Sequence, residues 1–444
     1  MISGFPEAML KHVKIVSTQV APTVTETKVT GPMGLKLLRM TTSVAPGQKI
    51  ACTLEGMAKT QVQPMVDRFL AVINKLKVIG TIDGKLMYNL YNPPTPSPAA
   101  LRPFERKLRS QALGYVLPAT ATLSVTPQCP CKCIHCSADR FITKEGKQLS
   151  TEELADVVDQ SLDLGVCTLI FTGGEPMARK DLYDQIARVD KNLAHVMIFT
   201  CGAFLNDETI RKLKDAGLGS MNVSIDSDIE SEHDEFRRRP GTFAQAFGAA
   251  KLARQAEIMI GVSTYATHDN VANGRLEHLL QMARDEGFHE ITIFDCVPTG
   301  KFLNRTDLRL GRKDIEQVRL LAEKYNADNQ AFGVTAQAFA NSPHGGGCFG
   351  AFSQFYMTCF GDINPCDFNP ISFGNVRDAR LGDIWKKIVT HPEFSKHRLS
   401  CRMQSTRYRS LFIDPLDLDE TLPVSIDRLP GDGTILPKEP AATK

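Results

Sequence analysis

The chain has 444 residues, a formal charge of +2 and a composition of 42% hydrophobic and 23% charged residues, which suits a folded globular protein of two or three domains. No stretch approaches the roughly 20 apolar residues of a membrane span and no early basic segment leads into an apolar run, so a cytoplasmic protein without a transmembrane segment or nucleic-acid partner is expected. Twelve cysteines without a signal peptide argue for reduced thiols that hold metal rather than for disulfides.

The small net charge hides an asymmetry. Residues 1–110 carry 15 Lys+Arg against 6 Asp+Glu (+9), leaving 37 against 44 (−7) for the remainder. A basic amino-terminal part favours an acidic peptide, an anionic surface or an acidic electron donor, or is simply a set of solvated lysines. Within residues 1–92, segments 13–20, 36–42 and 49–54 read as strands and 61–76 as a helix, giving a small α+β module with no assigned role. The prolines between Asn92 and Pro98 predict an extended linker over 93–120 that ends in the basic stretch 102–110.

From residue 121 strands and helices alternate with short connections, which predicts parallel strands with helical crossovers over 121–330. The strands fall at 121–126, 167–171, 195–200, 220–225, 258–265 and 290–294, and Ser150 with Glu153 forms a capping box that opens the first helix. Parallel α/β units gather ligands at the carboxyl ends of their strands. Ser224, Asp226, Thr264, Tyr265, Thr267, Asp295, Cys296, Pro298 and Gly300 are therefore expected around one mouth.

Two motifs stand at that mouth. Cys129, Cys133 and Cys136 form CxxxCxxC on the loop after the first strand, and Gly173, Gly174, Glu175 and Pro176 follow the second. A [4Fe–4S] cluster normally takes four cysteines, so three thiolates suit a cluster with one open iron. A zinc site would prefer paired CxxC elements or histidines at tetrahedral spacing. Together the two motifs resemble the radical S-adenosylmethionine (SAM) superfamily.

That resemblance implies an α/β fold, a partial (β/α)6 TIM barrel. It also implies that SAM binds the open iron and is cleaved by one electron to a 5′-deoxyadenosyl radical, with reduced ferredoxin or flavodoxin as donor. Gly173 and Gly174 would contact the amino end of SAM, with Glu175 as the carboxylate for its ammonium group. Ser224 and Asp226 resemble the ribose-binding strand end. Among Arg237, Arg238 and Arg239, Arg238 is the assigned partner of the SAM carboxylate, the alternative being a solvated run. His135 packs beside the adenine or is an incidental surface histidine. Cys131 is surplus to the motif and is expected not to ligate, and Cys52, Cys167, Cys201 and Cys296 read as small buried hydrophobes, with an active-site place as the alternative for Cys201 and Cys296 because both lie at the mouth.

Cys348, Gly361 and Cys366 follow the order C-x12-G-x4-C, which resembles the opening of SPASM/twitch auxiliary-cluster domains and assigns residues 331–412 to one. The later cysteine run of a full two-cluster SPASM domain is missing, and only Cys401 follows. One auxiliary [4Fe–4S] cluster on Cys348, Cys366 and Cys401 is expected; Cys359, an open iron or an unrecognised ligand completes it. Asp367 directly follows Cys366. In anaerobic sulfatase-maturating enzymes an aspartate so placed is the base, so Asp367 is the candidate catalytic residue, or else a turn aspartate. The tail 413–444 reads as a poorly packed extension. Peptide or protein modification is the expected activity, oxidation of a small alcohol, as in the aminocyclitol dehydrogenases, the alternative. A non-catalytic iron–sulfur protein is the rival class, and the Gly173–Glu175 motif argues against it.

Overall fold

The computed structural model describes residues 13–144, 146–431 and 433–436. Strands β1 (Lys14–Ala21), β2 (Val24–Thr30), β3 (Lys36–Ala45) and β4 (Lys49–Glu55) form an antiparallel meander. Helix α1 (Lys59–Ile73) covers one face, setting Val62 and Val66 against Leu38, Met40 and Leu54. β2 escapes the sequence reading because three successive buried residues, Thr25, Glu26 and Thr27, are polar and Val29 is its one buried apolar residue.

A hairpin of β5 (Gly80–Ile82) and β6 (Lys85–Met87) leads into a segment that plugs the amino-terminal end of the main sheet. At its centre, the fully buried Leu90 donates its N–H to Glu290 Oε2 (2.7 Å) and its carbonyl accepts from Ser220 Oγ (3.1 Å). Gly261 makes the room, since a Cβ there would lie 2.5 Å from Leu90 Cδ1.

The expected extended linker is a helix over most of its length. α2 (Pro98–Leu113) starts with Ser97 as N-cap, its Oγ accepting from Ala100 N (3.1 Å), and with Pro98 in the first turn. Proline belongs in that position because the N–H it lacks would have no helical partner. Arg102 of this helix is buried and donates to the carbonyls of Leu162, Val166 and Leu193, so the segment is docked on the barrel rather than spaced from it.

The main sheet contains β7 (Thr120–Ser124), β8 (Thr168–Thr172), β9 (His195–Thr200), β10 (Ser220–Ser224), β11 (Met259–Ala266), β12 (Glu290–Asp295) and β13 (Gly333–Ala336), all parallel and neighbouring in that order. The first six are the expected partial (β/α)6 barrel and β13 adds a seventh strand. At the other edge β14 (Gln354–Met357) runs parallel to β7 and turns back antiparallel through β15 (Ile363–Asn364). The carboxy-terminal region thus extends the barrel sheet and places Cys366, just past β15, at the barrel mouth.

The tail also departs from expectation. Leu422, Val424, Ile426 and Leu429 are buried in the main core, and β17 (Val424–Ser425) pairs in parallel with β16 (Ile371–Ser372). Its prolines and acids conceal an apolar alternation that finds a surface to cover; residues 437–444 lie outside those described.

Candidate active site

The two glycines after β8 serve the cysteine loop before any ligand. Gly174 N donates to Thr126 O and Glu175 N to Gln128 O, both at 2.7 Å, so this turn clasps the loop leaving β7. A Cβ on Gly173 would lie 2.7 Å from Thr126 O and one on Gly174 2.2 Å from Gln128 O. Gly173 also has φ +151°, a conformation that favours glycine. Glu175 is buried beyond the turn, accepting from Thr200 Oγ1 (2.8 Å), Met177 N (3.1 Å) and Cys201 N (2.8 Å). Burial pushes its carboxyl above the ordinary value despite these donors.

Cys129, Cys133 and Cys136 line one cavity of about 670 Å³ together with Gly173, Gly174 and Glu175. All three are free thiols. Cys131 is buried among them, and its interaction with the thiols of Cys129, Cys133 and Cys201 favours its thiolate and pushes Cys129 and Cys133 up. Among the described residues no three His, Cys, Asp or Glu side chains converge as a single-ion site. The fit to a cluster rests on donor chemistry: four free thiols on one loop face the chamber, three of them in the CxxxCxxC spacing.

Beside the cysteine loop Asp226 accepts from Arg237 Nε (2.6 Å), and Arg237 Nη1 also reaches Cys133 Sγ (3.6 Å). Burial pushes the Asp226 carboxyl up, but Arg237, His135 and His233 outweigh it and the net shift is downward. His135 stacks on Phe236 (4.5 Å between centroids) and meets Tyr265 edge-on (4.6 Å); burial holds it neutral, with a pKa of about 4. Its Nδ1 and Asp226 Oδ1 are buried without partners, two polar atoms at the wall of the chamber that a polar ligand would satisfy. Ser224 lines the same wall beside Ser263.

Arg238 is corrected by the structure. It ends the helix Glu230–Arg237 in a left-handed conformation (φ +53°), is exposed and lies off the cavity. Arg237, four residues after buried His233, is the arginine on the buried face. That i, i+4 spacing was the available signal. Several residues expected at the mouth also fall elsewhere. Ser263 and Tyr265 line the cavity, so Thr264 between them faces the other side of the sheet. Thr267, Asp295, Cys296, Pro298 and Gly300 are off it too; a Cβ on Gly300 would meet Cys136 O at 2.2 Å, so that turn underlies the cysteine loop.

Cys348, Cys366 and Cys401 line this same cavity, and burial, then Asp367, Cys348 and Cys401, push the Cys366 thiol up. Cys359 is buried but does not line the cavity. Asp367 stands half-buried at the cavity wall with Gln354 Nε2 3.5 Å away, and burial pushes its carboxyl up to about 6.

Known proteins resemble this chain in sequence and in fold. Residues 123–294 match the model of the radical SAM superfamily and residues 348–407 that of the SPASM iron–sulfur cluster-binding domain, together more than half of the chain. An AdoMet-dependent heme synthase of Oleidesulfovibrio alaskensis is 26% identical over 59% of this chain and 73% of its own length. A PqqA peptide cyclase of Granulibacter bethesdensis is 28% identical over 62% and 74%. Among solved structures, Streptococcus suis SuiB bound to precursor peptide SuiA shares the fold with TM-score 0.54 at 12% identity, covering 92% of this chain and 98% of that one. Among the described residues no helix is long and apolar enough to cross a membrane. The chain therefore belongs to the radical SAM superfamily: it is an enzyme of SAM and a [4Fe–4S] cluster, with a SPASM domain for auxiliary iron–sulfur binding.

Proposed function

We propose that the enzyme modifies a peptide or protein, abstracting a hydrogen atom from one of its side chains within the chamber between the two cysteine groups. The observation that carries this reading is the single cavity lined by Cys129, Cys133 and Cys136, by Cys348, Cys366 and Cys401, and by Asp367. A substrate there stands between the site of radical generation and a second set of thiols, with one carboxylate at hand to take a proton. Relatives named PqqA peptide cyclase support a peptide as substrate, as does the basic amino-terminal part.

In this reading Cys129, Cys133 and Cys136 hold the SAM cluster, which supplies the electron for cleavage, and Cys348, Cys366 and Cys401 hold one auxiliary cluster. Gly173, Gly174 and Glu175 bound the amino end of SAM. Ser224 and Asp226 face its ribose, His135 lies beside its adenine, and Arg237 replaces Arg238 as partner of its carboxylate. A reduced ferredoxin or flavodoxin is the donor. Relatives named heme synthases favour a second reading, a small-molecule substrate.

The test is anaerobic reconstitution with dithionite and SAM. 5′-Deoxyadenosine should form in the wild type and be lost on substituting Cys129, Cys133 or Cys136 with alanine. Retained cleavage in any of the three variants overturns the initiator assignment. A panel of peptides against small alcohols and porphyrins then decides the substrate class by which of them yields a modified product.

A further inference from the structure

One wall of the chamber is a stripe of aromatic rings. Tyr91 on the floor is 6.2 Å from Phe199, Phe199 is 6.2 Å from Phe294, and Phe294 is 6.1 Å from Phe368, two residues past Cys366. All four rings line the cavity and are half-buried. The exposure is selective: every other residue of β9 and β12 is buried, and Phe199 and Phe294 alone present surface. Apolar rings facing an internal cavity forgo the burial that makes aromatic residues favourable in a core. A bound group that covers them recovers it.

The charged groups are placed otherwise. Asp226 is taken by Arg237, and Glu175 by Thr200, Met177 and Cys201, while Asp367 stands at the end of the stripe beside Phe368. The nucleoside has its own ring pair in His135 and Tyr265 at the cysteine loop. Tyr265 in turn lies 6.0 Å from Phe294, so the stripe branches from that pair and runs from the plug to the auxiliary cysteines, farther than one adenine reaches.

Resting on the peptide reading above, we propose that the side chain taken for hydrogen abstraction is aromatic, held edge or face against Phe199, Phe294 and Phe368 with its β-carbon toward the cysteine loop. In the step, SAM and one electron from dithionite give methionine and the 5′-deoxyadenosyl radical. That radical removes one hydrogen atom from the side-chain methylene, leaving 5′-deoxyadenosine and a benzylic substrate radical.

Reconstituted enzyme is incubated with SAM, dithionite and acetyl-Gly-X-Gly-amide peptides whose X side chain is perdeuterated tyrosine, phenylalanine, leucine or glutamate. Deuterium in 5′-deoxyadenosine is read by mass spectrometry, and saturation-transfer NMR reads binding of the same peptides. Tyrosine and phenylalanine peptides should bind preferentially and donate deuterium. Phe199→Leu and Phe294→Leu, which roughly conserve volume, should cut the aromatic-to-leucine ratio about tenfold, within what a pocket contact discriminates. Preferential binding or transfer from leucine or glutamate overturns the proposal, as does the absence of both transfer and aromatic preference in binding. Equal loss of SAM binding and of transfer in Phe294→Leu assigns the ring to the nucleoside and overturns it too. Failure of SAM cleavage without any peptide is a different result and strikes the proposed function instead.

Discussion

Gly174→Ala separates two reasons for a glycine in this motif. If the residue only admits SAM, the methyl group should weaken SAM binding and leave the cluster intact. The structure places the conflict earlier, because the added Cβ would sit 2.2 Å from Gln128 O and 2.8 Å from Pro127 O, both backbone atoms of the cysteine loop. Relief requires the loop to move, breaking the bonds Gly174 N–Thr126 O and Glu175 N–Gln128 O. Each is worth about 0.5–1.5 kcal/mol, and crowding a packed site adds about 1–3, giving about 2–6 kcal/mol against the loop's position. That is enough to displace a loop and less than the upper range of a domain's stability, so the chain should still fold. Iron after anaerobic reconstitution should fall from about eight to about four per chain, with the auxiliary signal retained by electron paramagnetic resonance. A full complement of iron with SAM affinity alone reduced would refute the clasp.

Three other outcomes follow from the geometry. Asp367→Asn should still yield 5′-deoxyadenosine with substrate present while product falls roughly 10²–10⁴-fold, the usual loss of a positioned base. Because burial lifts the Asp367 carboxyl to about 6 and the ionised form is the base, wild-type product formation should rise with pH through about 6 and 5′-deoxyadenosine formation should not share that limb; a common profile would exclude it as the base. Arg237→Met leaves Asp226 buried without its cation and should cost about 3–5 kcal/mol in denaturant unfolding, whereas exposed Arg238→Ala should stay within about 0.5. Burial raises the Glu290 carboxyl to about 7 from an ordinary 4.5, so it is neutral in the fold at acid pH, and stability should fall as pH rises from about 4.5 through 7. The loss is on the order of 3 kcal/mol, and Glu290→Gln should remove that share of the slope between urea midpoints at pH 5 and 8, leaving only the part due to other raised carboxyls such as Asp367.

The barrel was legible because its strands are continuous apolar runs punctuated by caps and glycines, signals that depend on local sequence. The cysteine motifs were legible because thiols at fixed spacing have few other uses. What stayed hidden depends on long-range contact. Arg238 was chosen over Arg237 because adjacent arginines are equivalent until the helix fixes which one shares His233's face. The residues expected around the mouth were over-counted because a strand end gives only alternate side chains to the lumen, and which ones depends on register. The linker misled because proline marks an extended chain and a first helical turn alike, and only Ser97 and the carbonyls awaiting Arg102 decide between them.

The amino-terminal segment was harder still, because nothing in Asn89, Tyr91 or Asn92 resembles a site. Their role follows from Gly261, where a missing side chain in β11 admits Leu90 and brings the neighbouring residues to the chamber floor. Tyr91 is then held from several sides, its hydroxyl bonded to Thr292 (3.1 Å) and its carbonyl accepting from Thr168 Oγ1 (2.7 Å). A residue fixed by two barrel strands is part of the barrel's interior whatever its place in sequence. The segment around Leu90 and Tyr91 is thus coupled to the cavity through its floor, and under the proposed function a change in this plug should reach the substrate without touching either set of cysteines.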